Sequence, residues 1–252
     1  MKKALKLIFL VCCCLFITAG SSLADPITIY DARSGTYNGG TGDGWWTNTN
    51  EDQEVEPGMI HNQNWDLEAF YLDDFILSMV GGYNFKTGYS GTYSGDIFID
   101  TTGDAWYGKD GTYPLNYGYE YVIDVNWTDP SQSYNVYALN STSQLTQVSE
   151  TYNRIESNPL SLYSTGGASI ASGSFTSSSY SDTQGTHYSV SGFDLTFIGL
   201  DQDFITHFTI SCGNDNMIGS GTTPVPEPAT MLLFGTGLIG LAGLGRKRFL
   251  KK

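Results

Sequence analysis

Tyr119-Glu120-Tyr121-Val122-Ile123-Asp124-Val125-Asn126-Trp127 alternates large apolar and polar side chains along most of its length. Successive side chains of an extended chain point to opposite faces, so a repeat of two marks a strand with one face in a core. Tyr119, Tyr121, Ile123, Val125 and Trp127 then share the inner face, and Glu120, Asp124 and Asn126 the outer one. Thr128-Asp129-Pro130-Ser131 follows as a turn, which makes residues 134–139 the hairpin partner. The same pattern recurs outward from here. Residues 67–72 and 75–80 read as two strands around Asp73-Asp74. Phe193, Leu195 and Phe197 oppose Asp194 and Thr196, and Phe208, Ile210 and Cys212 oppose His207, Thr209 and Ser211. The predicted core comprises Tyr121, Ile123, Val125, Leu195, Phe197, Phe208 and Ile210, filled in by Trp65, Trp106 and Trp127.

Turn signals separate these stretches, among them Asn38-Gly39, Asp43-Gly44 and Asp110-Gly111. No segment between the termini has helical periodicity with caps. With 30 glycines and 17 tyrosines, the composition is that of an all-β protein, a single β-sandwich or jelly-roll ectodomain over residues 25–218. Residues 164–186 are rich in Ser, Gly and Thr and read as a long loop or irregular edge region. Residues 219–224 read as a linker.

Charge is sorted along the chain. Lys2, Lys3 and Lys6 stand at the start, and Arg246, Lys247, Arg248, Lys251 and Lys252 at the end. Between them only Arg33, Lys86, Lys109 and Arg154 oppose all 26 carboxylates, so the body carries a net charge of −22 against −14 for the whole chain. Such a body repels nucleic acid and attracts cations or basic partners. Cys12, Cys13 and Cys14 lie in the N-terminal apolar stretch, which leaves Cys212 alone in the body and excludes an internal disulfide there. On the apolar face beside Phe208 and Ile210, Cys212 reads as a buried thiol rather than a nucleophile.

Chemistry-bearing patterns are few. His61, His187 and His207 are scattered without metal-ligand spacing, and no G-x-S-x-G elbow occurs. Enzymatic activity is therefore not expected, with a secreted hydrolase as the third reading. In the stretch from Asp96 to Asp104, a strand separates Asp96 from Asp100 by roughly 13 Å, too far to share an ion. Asp100 and Asp104 flank a turn at Gly103, and their carboxylates can converge on an oxygen shell suited to Ca²⁺. No other cofactor is implied. Trp45 and Trp46 are adjacent beside Gly42-Asp43-Gly44, so one ring faces away from the core and could stack on a sugar. This supports a carbohydrate-binding, lectin-like module as the alternative to a structural or adhesive role.

Both ends carry membrane signals. Residues 1–24 have a basic start, an apolar core and the small-x-small site Ser22-Leu23-Ala24, and read as a signal peptide cut by signal peptidase before Asp25. A lipoprotein reading fits poorly, because Val11 rather than a small residue precedes Cys12. At the other end Val225-Pro226-Glu227-Pro228 precedes an apolar stretch, residues 229–245, and then Arg246-Lys247-Arg248. As a helix the stretch reaches about 25 Å, near the short limit for a bilayer core of about 30 Å. The basic cluster would hold the tail inside and the body outside. Gly235-Thr236-Gly237-Leu238-Ile239-Gly240 fits a dinucleotide fingerprint, but it lacks the preceding strand and the later acidic residue.

The three-part segment 225–252 resembles the sorting signal of bacterial PEP-CTERM proteins, which an exosortase recognises. It also resembles what is grouped as an ice-binding protein C-terminal domain, although the body has no flat Thr-x-Thr array. The resemblance implies export in a Gram-negative bacterium, transient insertion in the inner membrane, and processing near Pro226-Glu227-Pro228. Release to the envelope or extracellular polysaccharide would follow, with Arg246, Lys247 and Arg248 as the retention element.

Overall fold

The computed structural model describes residues 24–29, 60, 62–105, 116–148, 157–225 and 236, which form antiparallel sheets packed over one main core. The first sheet has the order β1 (Asp25–Pro26), β2 (Leu67–Asp73), β3 (Ile76–Gly81), β11 (Thr186–Asp194) and β10 (Thr176–Ser181). The second has the order β13 (Asn216–Thr222), β12 (Asp203–Thr209), β4 (Ile97–Asp100), β5 (Tyr121–Val125), β6 (Ser133–Ala138) and β9 (Ala171–Ser174). A small ribbon pairs β7 (Gln144–Thr146) with β8 (Ser161–Ser164). The fold is the expected all-β one. The 119–127 stretch supplies β5, paired with β6 as a hairpin, and β2 and β3 meet around Asp74, whose φ of 57° completes the tight turn.

Alternation explains the main core. Ile123 and Val125 of β5, Ile97 and Ile99 of β4 and Val136 of β6 face Leu77 and Met79 of β3 and Val190 and Phe193 of β11. Trp127 sits where the layers meet, with its ring 5.4–6.2 Å from those of Phe85, Phe175, Phe193 and Phe208. Its indole N–H donates to the Gly95 carbonyl at 2.8 Å, so this large ring is buried without an unmet donor. A second cluster of Phe98, Ala105, Tyr117, Tyr119 and Val122 covers the outer face of β4 and β5.

That outer cluster corrects two expectations. Tyr119 precedes β5, beyond Gly118 at φ 82°, and its ring joins Phe98 rather than the main core. His207 and Thr209, expected outward on β12, are fully buried, His207 with its ring 6.0 Å from Tyr119 and 6.2 Å from Phe98. Phe197 also departs from its assigned strand. β11 stops at Asp194, whose carboxylate accepts the Thr196 N–H at 2.8 Å and starts a 3₁₀ turn, Thr196–Ile198. Phe193 and Leu195 are buried, whereas Phe197 packs half-exposed on Tyr121. Of the other expected core residues, Tyr121 is half-buried, and Ile123, Val125, Phe208, Ile210, Trp65 and Trp127 are buried. Trp106 lies outside the described residues.

The 164–186 region is not a long loop. It contains β9 and β10, the last strands of the two sheets, joined by the buried Phe175 alone. Edge strands need backbone pairing more than an apolar face. In β10, exposed throughout, hydroxyl pairs such as Ser178–Ser189 at 2.7 Å and Ser181–Thr186 at 3.1 Å supplement the ladder. Residues 219–222, expected as linker, belong to β13. Gly219 reads as a linker residue yet is required by packing, since a Cβ there would stand 2.8 Å from Thr206 and 3.1 Å from Phe70.

The opposite edge is closed by the chain's first described segment. Ile27 N–H donates to Phe70 of β2, while its carbonyl accepts from Ser220 of β13 and Ile29 N–H donates to Ile218. Residues 27–29 thus bond to both sheets at once. Trp127→Ala should lower unfolding free energy by about 3–5 kcal/mol in a urea titration, because it empties the junction of four rings. Trp127→Phe should cost less than that, mainly the stranded Gly95 carbonyl.

Candidate functional site at the exit of the chain

β4 ends at Asp100, and the chain then turns sharply through Gly103 at φ 79°. Asp100 is buried, not a solvated turn residue, because its carboxylate organises the turn. Oδ1 accepts from the N–H groups of Thr102 (2.8 Å) and Gly103 (2.7 Å), and Oδ2 from that of Ala105 (2.9 Å). The turn brings Asp104 close, as the sequence suggests, and adds Glu120. One carboxylate oxygen from each of the three lies within 4.8 Å of the others. The Thr102 hydroxyl stands among them, 2.6 Å from Asp104 and 3.1 Å from Glu120, and Glu120 Oε2 accepts the Thr101 N–H at 2.7 Å. Asp96 belongs elsewhere. Its carboxylate accepts the N–H groups of Val125 (3.1 Å) and Leu162 (2.7 Å).

Glu120 was legible only as an outward residue of the 119–127 strand. Its place in the cluster follows from β4–β5 pairing, in which its N–H donates to Ile99 at 3.1 Å. Three carboxylates met by the hydroxyls of Thr101 and Thr102, with no Lys or Arg against them among the described residues, form a strongly negative turn. This geometry offers a Ca²⁺ ion one carboxylate oxygen each from Asp100, Asp104 and Glu120.

A second polar cluster joins residues far apart in sequence. His187 of β11 is buried, with Nδ1 2.6 Å from Glu68 of β2 and Nε2 3.0 Å from Asp182, and its ring stacks on Tyr180 at 4.7 Å. Burial pushes its pKa down, but the bond to Asp182 and the charge of Glu68 outweigh this and hold it above the usual imidazole value. Both ring nitrogens are engaged by carboxylates, so neither is free to activate a hydroxyl nucleophile. His207 has no hydrogen-bond partner, and burial holds its pKa down to about 3, which keeps it neutral. Cys212 is buried and its thiol pKa is raised by burial, the state of an inert core thiol. His61, Trp45 and Trp46 lie outside the described residues.

The chain leaves the body beside the acidic turn. Thr223 N–H donates to Gln202 at 3.0 Å, the Pro224 carbonyl accepts the Asp201 N–H at 3.0 Å, and Val225 is exposed. Ala24 and Asp25 lie at the same end, with Asp25 paired to Leu72. Pro226, Glu227, Pro228, Arg246, Lys247, Arg248 and Ser22 lie outside the described residues. Among the described residues no helix is long and apolar enough to cross a membrane.

Residues 224–248 match the PEP-CTERM protein-sorting motif. The motif directs exosortase-dependent export to the cell envelope or surface, and here it begins within two residues of β13. No curated protein and no solved structure matches the chain.

Two outcomes follow from these clusters. Burial and the neighbouring Asp124 push the Asp96 carboxyl up to about 7 from an ordinary value near 3.8. A folded-state pKa raised in this way gives stability that is full below about pH 4 and lost as pH rises through about 7. His187, also raised, contributes with the same sign and loses its share above the usual imidazole range. His207, held down to about 3, acts with the opposite sign and offsets Asp96 up to the usual imidazole value. Melting temperature should therefore fall mainly between about pH 6.5 and pH 8, and Asp96→Asn should turn the range from pH 5 to about pH 6.5 into a rise. At the acidic turn, Ca²⁺ should raise the melting temperature of the wild type more than NaCl of equal ionic strength does. Asp104→Asn and Glu120→Gln should each remove most of that difference.

Proposed function

We propose that this protein is a non-enzymatic structural or adhesive component of the cell surface or extracellular matrix. Signal peptidase would remove residues 1–24. The 229–245 stretch would then insert transiently in the inner membrane, exosortase would process the chain near Pro226-Glu227-Pro228, and the released body would associate with extracellular polysaccharide. The observation that carries this reading is the sorting motif following directly on the last strand of a closed β-body. From sequence alone, two prolines beside Glu227 would disfavour helix there, which suits a processing enzyme that needs an extended substrate.

The engaged ring of His187 and the burial of His207 and Cys212 support a non-catalytic role, because none of the three offers an accessible base or nucleophile. The surface supports a matrix role through composition. Ser, Thr and Tyr crowd the exposed β10 and its neighbour β11, a surface that bonds to hydroxyl-rich polymers through hydrogen bonds and flat rings.

Glu227→Ala should leave full-mass protein in the inner membrane, whereas the wild type should yield a shorter form that begins at Asp25. Mass spectrometry of the mature protein from its host reads both ends. Normal surface delivery of the Glu227→Ala chain at unprocessed mass would reduce the tail to a plain anchor. Retention of the mature wild type on the host's purified polysaccharide, and not on an unrelated acidic polymer, checks the adhesive role.

A further inference from the structure

Both ends of the described body leave it at one pole. Asp25, Ile27, Leu72, Asp74, Thr222 and Pro224 line a single shallow hollow there. The register defines what else shares this pole. Asp25 pairs with Leu72, next to Asp73; Asp203 pairs with Thr222; and Asp201 donates its N–H to Pro224. Asp25, Asp73, Asp74, Asp201 and Asp203 are all exposed. The Asp100–Asp104–Glu120 turn belongs to the same pole, since Ile205 pairs with Asp100 and the Gln202 amide donates to Thr101 at 3.3 Å. The one Lys or Arg among the described residues, Lys86, bonds to Gln132 in the β5–β6 turn, at the other end of these strands.

The chain length sets how far this pole can stand from a bilayer. Pro224 is tied to the body, and Ala229 opens the apolar stretch of the sorting motif. The five steps between them cover at most about 17 Å even when fully extended. Charge repulsion in physiological salt decays over about 8 Å, so it is weak at full reach and steep once the pole sinks close to the surface.

We propose that this pole faces a lipid surface bearing anionic headgroups and is held off it by like charge. Approach of the processing enzyme to the Pro226-Glu227-Pro228 sequence is thereby preserved. The tether limits the gap from above and repulsion limits it from below. The inference rests on the sorting reading above.

The test is a pulse-chase of the full chain in its native host, following conversion to the shortened form. Asp73→Lys with Asp203→Lys and Thr222→Lys offsets the five aspartates and leaves only the Asp100–Asp104–Glu120 turn negative, so the pole can sink closer to the lipid. Conversion should slow by roughly fivefold, since each lysine near an anionic surface adds appreciable attraction. A ten-residue Gly-Ser insertion after Val225 should restore it in that same chain, which also shows that the variant folds. The milder Asp73→Asn/Asp203→Asn pair should slow conversion less. A lysine variant processed at the wild-type rate overturns the proposal. Slowing that the insertion does not relieve overturns it too, and assigns the aspartates to a basic face of the processing enzyme. Wild-type chain that is never shortened overturns the sorting reading, and this inference with it.

Discussion

The two sheets are held by the burial of Trp127 against rings from several parts of the chain. Phe193 comes from the first sheet, Phe208 from the second, Phe175 from the one-residue crossing between them and Phe85 from the loop after β3. With a single cysteine in the body and 26 carboxylates acting against compaction, neither disulfides nor ion pairs can substitute for that contact. The indole N–H fixes the ring to Gly95. Gly95 in turn has no room for a side chain, because a Cβ there would approach the Leu160 carbonyl at 2.3 Å and that of Thr209 at 2.9 Å. One hydrogen bond thus registers the aromatic junction against β12 and the β7–β8 ribbon.

Satisfaction of negative charge follows an unusual route. Lys86 is the one Lys or Arg among the described residues, so carboxylates there are met by N–H and hydroxyl groups instead. Asp100 and Glu120 illustrate this at the chain exit, and Asp129 does so in the β5–β6 turn, where the Ser131 N–H and the hydroxyls of Ser131 and Ser133 surround it and lower its pKa. Ser and Thr abundance is therefore partly an electrostatic matter, since hydroxyls do locally what cations do in other surfaces.

The strands that were legible are those whose two faces meet different surroundings. Residues 119–127 and the pair around Asp73-Asp74 alternate because one face meets the main core. β10 holds an edge where neither face is covered and β9 one where the half-buried face carries only Ala171 and Gly173, so no apolar period marks them. Gly219 and Gly221 mimic a linker because Phe70, Thr206 and Phe204 crowd against them. His207 was placed outward by the alternation of β12, since the outer cluster that covers it comes from other segments, including Tyr117 and Tyr119. At the candidate site, Asp100 and Asp104 were visible through the glycine turn, but Glu120 and the His187–Glu68–Asp182 group depend on pairing between distant strands. The termini were readable for a different reason, as their signals are contiguous in sequence.

The seam closed by residues 27–29 has a kinetic consequence. Its bonds to Ile218 and Ser220 join segments about 190 positions apart, among the longest sequence separations the chain permits. Contacts of that separation form late and slowly, because so much chain must first be brought together. In export led by the N-terminus, the leading residues would therefore find their final partners only once nearly the whole body had followed. Until then the first segment would have no β13 to pair with and the two sheets could not close over it, which would leave the chain loose enough for threading through a pore.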